Sequence, residues 1–190
     1  GLGGQVTTNS SACTTGTEAV INAYYHIREG RATRMLAGGA EGHSHYIWAG
    51  FDAMRVLGRG FNERPEQASR PMSASTDGFI PGSGSGIIML ETLESARERG
   101  ARIYAEVLGG SVNSGGQRGK GSMTAPNPTG VRRCILDAVR NAGIARGDIE
   151  LINGHLTGTM ADPLEIENWK EALEIEPEQL PLINATKSLV

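Results

Sequence analysis

The chain has 190 residues, enough for one sizeable core or for part of a larger one. A formal net charge of −3 leaves no electrostatic footprint for nucleic acid or an anionic membrane surface, and no apolar run reaches the roughly 20 residues of a membrane span. The 27 glycines follow no period, which excludes a collagen-like repeat, and two cysteines are too few for a disulfide framework and fit a reducing cytoplasm.

Apolar runs of strand length alternate with helical patterns, which argues for an α/β protein. The first helix begins near Thr14. Ala19, Val20, Ala23, Tyr24 and Ile27 recur at helical spacing, and Gly30 supplies a stop. Met35 to Ala40 is short and apolar, with Gly38-Gly39 weakening a strand assignment. Tyr46 to Leu57 reads as a helix, and Asn62 to Thr76 as a polar excursion. Phe79-Ile80 and Ile87 to Leu90 read as strands around a Gly-rich turn, followed by a short helix from Leu93 to Arg99. Ile103 to Val112 reads as a strand, and Ser114 to Gly130 as a long loop. Val131, Cys134, Ile135, Ala138, Val139 and Ala142 form the cleanest helical stripe, with Cys134 as a small apolar member of it. Ile149 to Ile152 is a buried strand running into Asn153-Gly154-His155. Asp162, with Glu165 three positions on, reads as a capping box, and Leu182-Ile183 starts a last strand before Lys187.

Chemistry concentrates at three of these junctions. In Ser11-Ala12-Cys13-Thr14-Thr15-Gly16, small residues surround a thiol where an extended segment meets a helix N-terminus. Such a thiol faces the positive end of the helix dipole, and neighbouring amides can donate to an oxyanion in acyl transfer. The commoner role of a lone cysteine is a small buried hydrophobe. His155-Leu156-Thr157-Gly158-Thr159 follows a strand, where active-site loops of α/β proteins lie; a histidine satisfied by local backbone bonds would read the same way. Lys187 also sits just past a strand, where a lone lysine is ordinarily a solvated charge, and Glu165 alone would be a helix-surface residue or part of a cap.

Taken together, in this order, these residues resemble the β-ketoacyl synthases of the thiolase superfamily, in their elongating branch. That branch carries an Ala-Cys nucleophile elbow, a His-Gly-Thr-x-Thr loop, and Lys-Ser before Gly-His. Here the counterparts are Ala12-Cys13, His155 to Thr159, and Lys187-Ser188. Ala68-Ser69-Arg70-Pro71, Asp77-Gly78-Phe79, Arg99-Gly100-Ala101-Arg102-Ile103-Tyr104-Ala105-Glu106 and Met123-Thr124-Ala125-Pro126 extend the resemblance along the chain. Four features depart from the pattern. Leu156 stands for the Gly after the histidine, one residue is missing between Thr159 and Asp162, Thr76 stands for an Arg, and Ser83 for an acidic residue. The family's second catalytic histidine would fall two residues past Val190, so the chain reads as a fragment of a longer enzyme.

The resemblance implies a thiolase-like fold, layered helices and mixed sheets in two related halves. Residues 1–92 would end the N-terminal half with the nucleophile, and residues 93–190 would start the C-terminal half. It implies a catalytic set of Cys13, His155, Lys187 and Glu165. Thr157 and Thr159 would bind substrate through the pantetheine arm, and Phe79 would line the acyl tunnel. An acyl group carried on the phosphopantetheine of an acyl carrier protein would pass to Cys13. A malonyl unit would then lose carbon dioxide and condense with it. His155 would donate to the thioester oxygen as enolate charge develops, and Lys187 would pair with Glu165. No metal or diffusible cofactor is required, and the enzyme would be a cytoplasmic homodimer with Gly3 to Asn9 near its twofold interface. Three readings compete. One is a hydrolase with a Cys13–His155 pair oriented by Asp162. A second is a structural fragment without activity of its own. The third is a metal site at His43 and His45, for which no ligand cluster completes the set.

Overall fold

The computed structural model describes residues 3–115 and 127–189, so Met123-Thr124-Ala125-Pro126 lies outside the described residues. Among these the order is α1 (Thr15–Arg28), β1 (Arg34–Glu41), α2 (His45–Ala53), β2 (Gly84–Glu91), α3 (Leu93–Glu98), α4 (Pro128–Ala142), β3 (Leu151–Asn153), α5 (Asp162–Leu173) and β4 (Leu182–Asn184). Two compact units interleave in sequence. Gly1–Gly42 joins Ser83–Gly110, and His43–Gly82 joins Ser111–Val190.

In the first unit β1 and β2 form an antiparallel ladder, Arg34 opposite Glu91 through Glu41 opposite Gly84. The strand that Gly38-Gly39 made doubtful is therefore present; ladder pairing outweighs the weak strand preference of glycine. One face of the pair takes α1. Ala23, Ala37 and Leu90 are buried there, packed by Val20, Tyr24, Ile27 and Met35. The helix approaches closely because Gly16 lies directly on Gly39: a Cβ on Gly16 would stand 3.4 Å from the Gly39 nitrogen. On the opposite face Leu36, Ile87 and Met89 remain about half exposed.

A charged clasp closes the far end of this ladder. Glu91 accepts from Arg99 Nε at 2.9 and 3.0 Å and from Ser95 Oγ at 2.8 Å, while Arg34 Nε donates to Ser95 Oγ at 2.6 Å. It ties the start of β1, the end of β2 and α3 together. Thr92 caps α3 by accepting from the Ser95 amide. Ile103 to Val112 forms no strand. Its carbonyls turn to side chains instead: the Leu108 oxygen accepts from Tyr24 Oη at 2.8 Å and the Gly110 oxygen from Tyr25 Oη at 3.3 Å. Extended residues without a ladder partner among the described residues are not a sheet, whatever their composition.

In the second unit α4 and α5 pack on each other. The stripe read from Val131 to Ala142 is α4, started by Asn127, whose Oδ1 accepts from the Thr129 amide, and by Pro128 at its first turn. Cys134, half-buried, donates to the Ser111 carbonyl at 3.3 Å. Buried Asn168 on α5 accepts from Arg132 Nε of α4 at 3.1 Å. β3 and β4 run parallel, with Asn153 opposite Asn184. Phe79 makes a single bridge to Leu57 rather than a strand, and its ring meets Phe51 edge-on at 4.7 Å between centroids.

Two outcomes test this packing. A methyl at Gly38 would fall on the Gly86 carbonyl across the ladder, so Gly38→Ala should destabilise by about 1–3 kcal/mol in urea unfolding. Arg99 holds the Glu91 carboxyl down to about 2. The clasp should therefore stabilise fully above the ordinary Glu value of 4.5 and be lost as pH falls from there toward 2. Glu91→Gln should remove that part of the acid dependence of melting.

Candidate functional site

Cys13 sits in a 3-10 turn, Ala12–Thr14, immediately before α1. The turn is tight. Ala12 has φ 54°, a left-handed conformation that costs a residue with a Cβ. Local bonds pin it from both sides. The Ser11 amide donates to Thr15 Oγ1 at 2.9 Å, and Thr15 Oγ1 donates to the Ala12 carbonyl at 2.8 Å. Glu18, one turn up the helix, accepts from Ser11 Oγ at 2.5 Å and from Asn9 Nδ2 at 3.0 Å, tying the lead-in to the helix. Cys13 is exposed and borders an open surface depression of about 330 Å³ lined by Gly16, Val20, Gly39, Gly86 and Ile88. Glu18 carried no functional reading in the sequence, although its spacing from Ser11 was the available signal.

The second unit brings the other expected residues together. Because β3 and β4 are parallel neighbours, their carboxyl ends lie side by side, and the Gly154 amide donates to the Asn184 carbonyl at 2.9 Å. His155 follows β3 directly, and Lys187 lies in the 3-10 turn Thr186–Ser188 just after β4. His155 keeps an exposed face, and its imidazole is held below the ordinary histidine value, first by partial desolvation among its neighbours and second by the Lys187 ammonium; Glu165 and Asp162 oppose that shift. The ring is therefore neutral at pH 7 and carries one N–H donor and one lone pair.

The loop after His155 is fixed by two carboxylates on the first turn of α5. Glu165 accepts from the His155 amide at 2.7 Å and the Leu156 amide at 2.9 Å. Asp162, buried at 3 % exposure, accepts from the Thr157 amide at 2.8 Å, the Gly158 amide at 3.0 Å and the Met72 amide at 3.3 Å. Four consecutive loop amides are thus taken by two side chains three residues apart. This replaces the expected capping box: Ala161 is the residue preceding the helix, and Asp162 points back to the loop rather than to its own helix. It also replaces the expected Lys187–Glu165 pair. Both Glu165 oxygens are engaged by the backbone, and no ion pair joins the two among the described residues.

Thr157 and Thr159 bring their hydroxyls within 3.1 Å of each other, and Thr159 Oγ1 also accepts from the Ala161 amide at 3.2 Å. Leu156 is the most buried large side chain described, at 1 % exposure. It fills the space over Gly154, where a Cβ would stand 2.8 Å from Leu156 Cγ. Gly158 takes φ 75°, and a Cβ there would meet Thr76 Oγ1 at 2.9 Å and the Gly78 carbonyl at 3.0 Å. Phe79 belongs to the same unit. The rings of His43 and His45 pack edge-on at 5.4 Å, and no group of three metal-ligating side chains occurs among the described residues.

Asp162→Asn keeps the shape but aims an amide donor at backbone donors. The variant should lose about 1–3 kcal/mol in urea unfolding and speed hydrogen exchange at the Thr157 and Gly158 amides.

Comparison with known proteins bears on the family and the fold. Residues 1–96 match the model of the β-ketoacyl synthase N-terminal domain, and residues 104–190 that of the C-terminal domain. The chain is 44 % identical over 159 residues to 3-oxoacyl-[acyl-carrier-protein] synthase 2 of Rhizobium meliloti (strain 1021), covering 82 % of this chain and 37 % of that protein. It is 40 % identical over 185 residues to the chloroplastic 3-oxoacyl-[acyl-carrier-protein] synthase II of Arabidopsis thaliana, covering 95 % of this chain and 33 % of that protein. The chain thus spans less than half the length of these relatives. Among solved structures, a type II polyketide ketosynthase in complex with its acyl carrier protein superimposes with a TM-score of 0.85 at 33 % identity, over 97 % of this chain and 45 % of that one. The thiolase-like fold of such ketosynthases is the fold of this chain, and with both domain models matched, the chain belongs to the β-ketoacyl synthase family.

Proposed function

We propose that the protein is an elongating β-ketoacyl-[acyl carrier protein] synthase, an acyltransferase of fatty acid or polyketide-like chain elongation. The observation that carries the reading is the placement of His155 and Lys187 just past the adjacent ends of parallel β3 and β4, with the amides of the histidine loop already committed. The carrier protein as partner is supported by the relatives' names and by the solved ketosynthase bound to its carrier. The protein would act as a cytoplasmic homodimer; no helix among the described residues is long and apolar enough to cross a membrane.

In the first stage Cys13 Sγ attacks the acyl thioester carbon. A tetrahedral oxyanion forms and collapses, leaving the acyl group on Cys13 and the phosphopantetheine thiol free. In the second stage the C–C bond to the malonyl carboxylate breaks, carbon dioxide leaves, and the electron pair becomes a thioester enolate. The N–H of neutral His155 donates to that oxygen as charge builds on it. Lys187 contributes by disfavouring a second proton on the ring. The enolate carbon then attacks the Cys13 thioester carbon and expels the Cys13 thiolate, releasing a β-ketoacyl chain on the carrier. Glu165 acts as an anchor for the His155 and Leu156 amides. Thr157 and Thr159 hydrogen-bond the pantetheine arm, and Phe79, set against Phe51, lines the acyl channel. The chemistry calls for no metal or diffusible cofactor.

A cysteine hydrolase is the weaker reading. It would require Asp162 to orient His155, but the oxygens of Asp162 accept from three backbone amides.

The full-length protein should release labelled carbon dioxide from malonyl-carrier protein. Cys13→Ala should abolish acyl labelling, and His155→Ala should lower carbon dioxide release by about 100-fold or more. Because the imidazole is held neutral, release should stay flat as pH falls to the ordinary histidine value of 6.5 and decline only below it. Absence of release, or full release by His155→Ala, would refute the assignment.

A further inference from the structure

The segment from Ser69 to Thr76, the end of the polar excursion, touches each strand-end segment of the second unit. Ser69 Oγ donates to the Lys187 carbonyl at 3.4 Å. The Met72 amide donates to Asp162 Oδ2 at 3.3 Å, the same oxygen that takes the Gly158 amide at 3.0 Å. Thr76 Oγ1 donates to the Gly158 carbonyl at 2.7 Å, the shortest of the three contacts. These bonds link residues 118, 90 and 82 positions apart in the chain.

The segment is itself stiffened. The Arg70 carbonyl accepts from the Ser73 amide at 3.3 Å, the Ser73 carbonyl from the Thr76 amide at 3.0 Å, and the Ser75 carbonyl from Arg70 Nε at 3.0 Å. The Arg70 guanidinium lies 3.5 Å over the Phe61 ring. Met72 has φ 62°, a conformation retained only where the surroundings determine it.

We propose that Ser69 to Thr76 is a brace that fixes the spacing of the His155 loop and the Lys187 turn, with Thr76 and Ser69 as positioning residues for decarboxylation. The proposal rests on the assignment of His155 and Lys187 to that step. Thr76 acts through Gly158: its hydroxyl holds the peptide three residues beyond His155, while Asp162 holds the amide side of the same residue. Ser69 acts through the backbone of Lys187 by a longer bond, so its removal has the smaller effect. The charged groups around His155 are Lys187, Glu165 and Asp162. Glu165 and Asp162 stay with α5 when the brace is cut, whereas the loop's hold on the ring and its distance from Lys187 relax. Both causes that keep the imidazole neutral then weaken.

The test is the titration of the His155 imidazole followed by NMR in the full-length protein, beside carbon dioxide release from malonyl-carrier protein. Thr76→Val, which keeps the shape and removes the donor, should move the His155 titration up toward its ordinary value. It should lower the maximal rate of release about ten-fold with little change in KM. Thr76→Ser should restore both. Ser69→Ala, which loses one long bond and keeps the fold, should move the titration the same way by less. Melting curves identify a merely structural role: lower stability with an unmoved His155 titration in Thr76→Val and Ser69→Ala overturns the brace. If the parent protein releases no carbon dioxide while Thr76→Val still moves the titration, the brace stands and the synthase assignment fails. If release is normal and neither variant moves the titration, the assignment stands and the brace fails.

Discussion

Two carboxylates on one turn of α5 hold four successive peptide amides, those of residues 155 to 158. A short loop leaving a strand cannot satisfy its own backbone, and each buried amide left without a partner costs about 1–3 kcal/mol. The acceptors have to come from elsewhere, and the first turn of a helix can supply two residues on one face at a spacing of three. Once they are supplied, the backbone path of the loop from β3 to α5 is set. The remaining features of the site attach to this frame: Leu156 beneath it, Thr76 against Gly158, and the Lys187 turn beside it on β4.

The same arrangement settles how the charges are used. Had Glu165 paired with Lys187, the positive field at His155 would be largely cancelled. Instead both Glu165 oxygens accept from backbone amides, and at the imidazole the Lys187 ammonium disfavours a second proton while Glu165 and Asp162 favour it. In the proposed mechanism the neutral ring supplies one N–H donor to the nascent enolate oxygen. Loop architecture and electrostatics are therefore one device rather than two.

Much of this was legible in the sequence, and the exceptions have physical causes. Helices α1 and α4 announced themselves by periodicity, since a helix buries a stripe that depends on its own residues. The strand at Arg34–Glu41 was obscured by Gly38-Gly39, because what makes it a strand is the ladder with β2, more than forty residues away in sequence. Ile103 to Val112 failed for the converse reason: strand composition without a ladder. Cys13, His155 and Lys187 could be named from motif order, but not the anchors. Asp162 and Glu165 look like a cap by spacing, because spacing does not reveal which amides a side chain faces. The stretch from Ser69 to Thr76 reads as a polar excursion that opens on a family-like Ala-Ser-Arg-Pro run, and its contacts stay hidden because they are remote in sequence.

The close fit of Leu156 against Gly154 also couples the two positions. With the leucine almost fully enclosed, they share a single parcel of volume, and a side chain added at 154 would have to be met by a smaller one at 156.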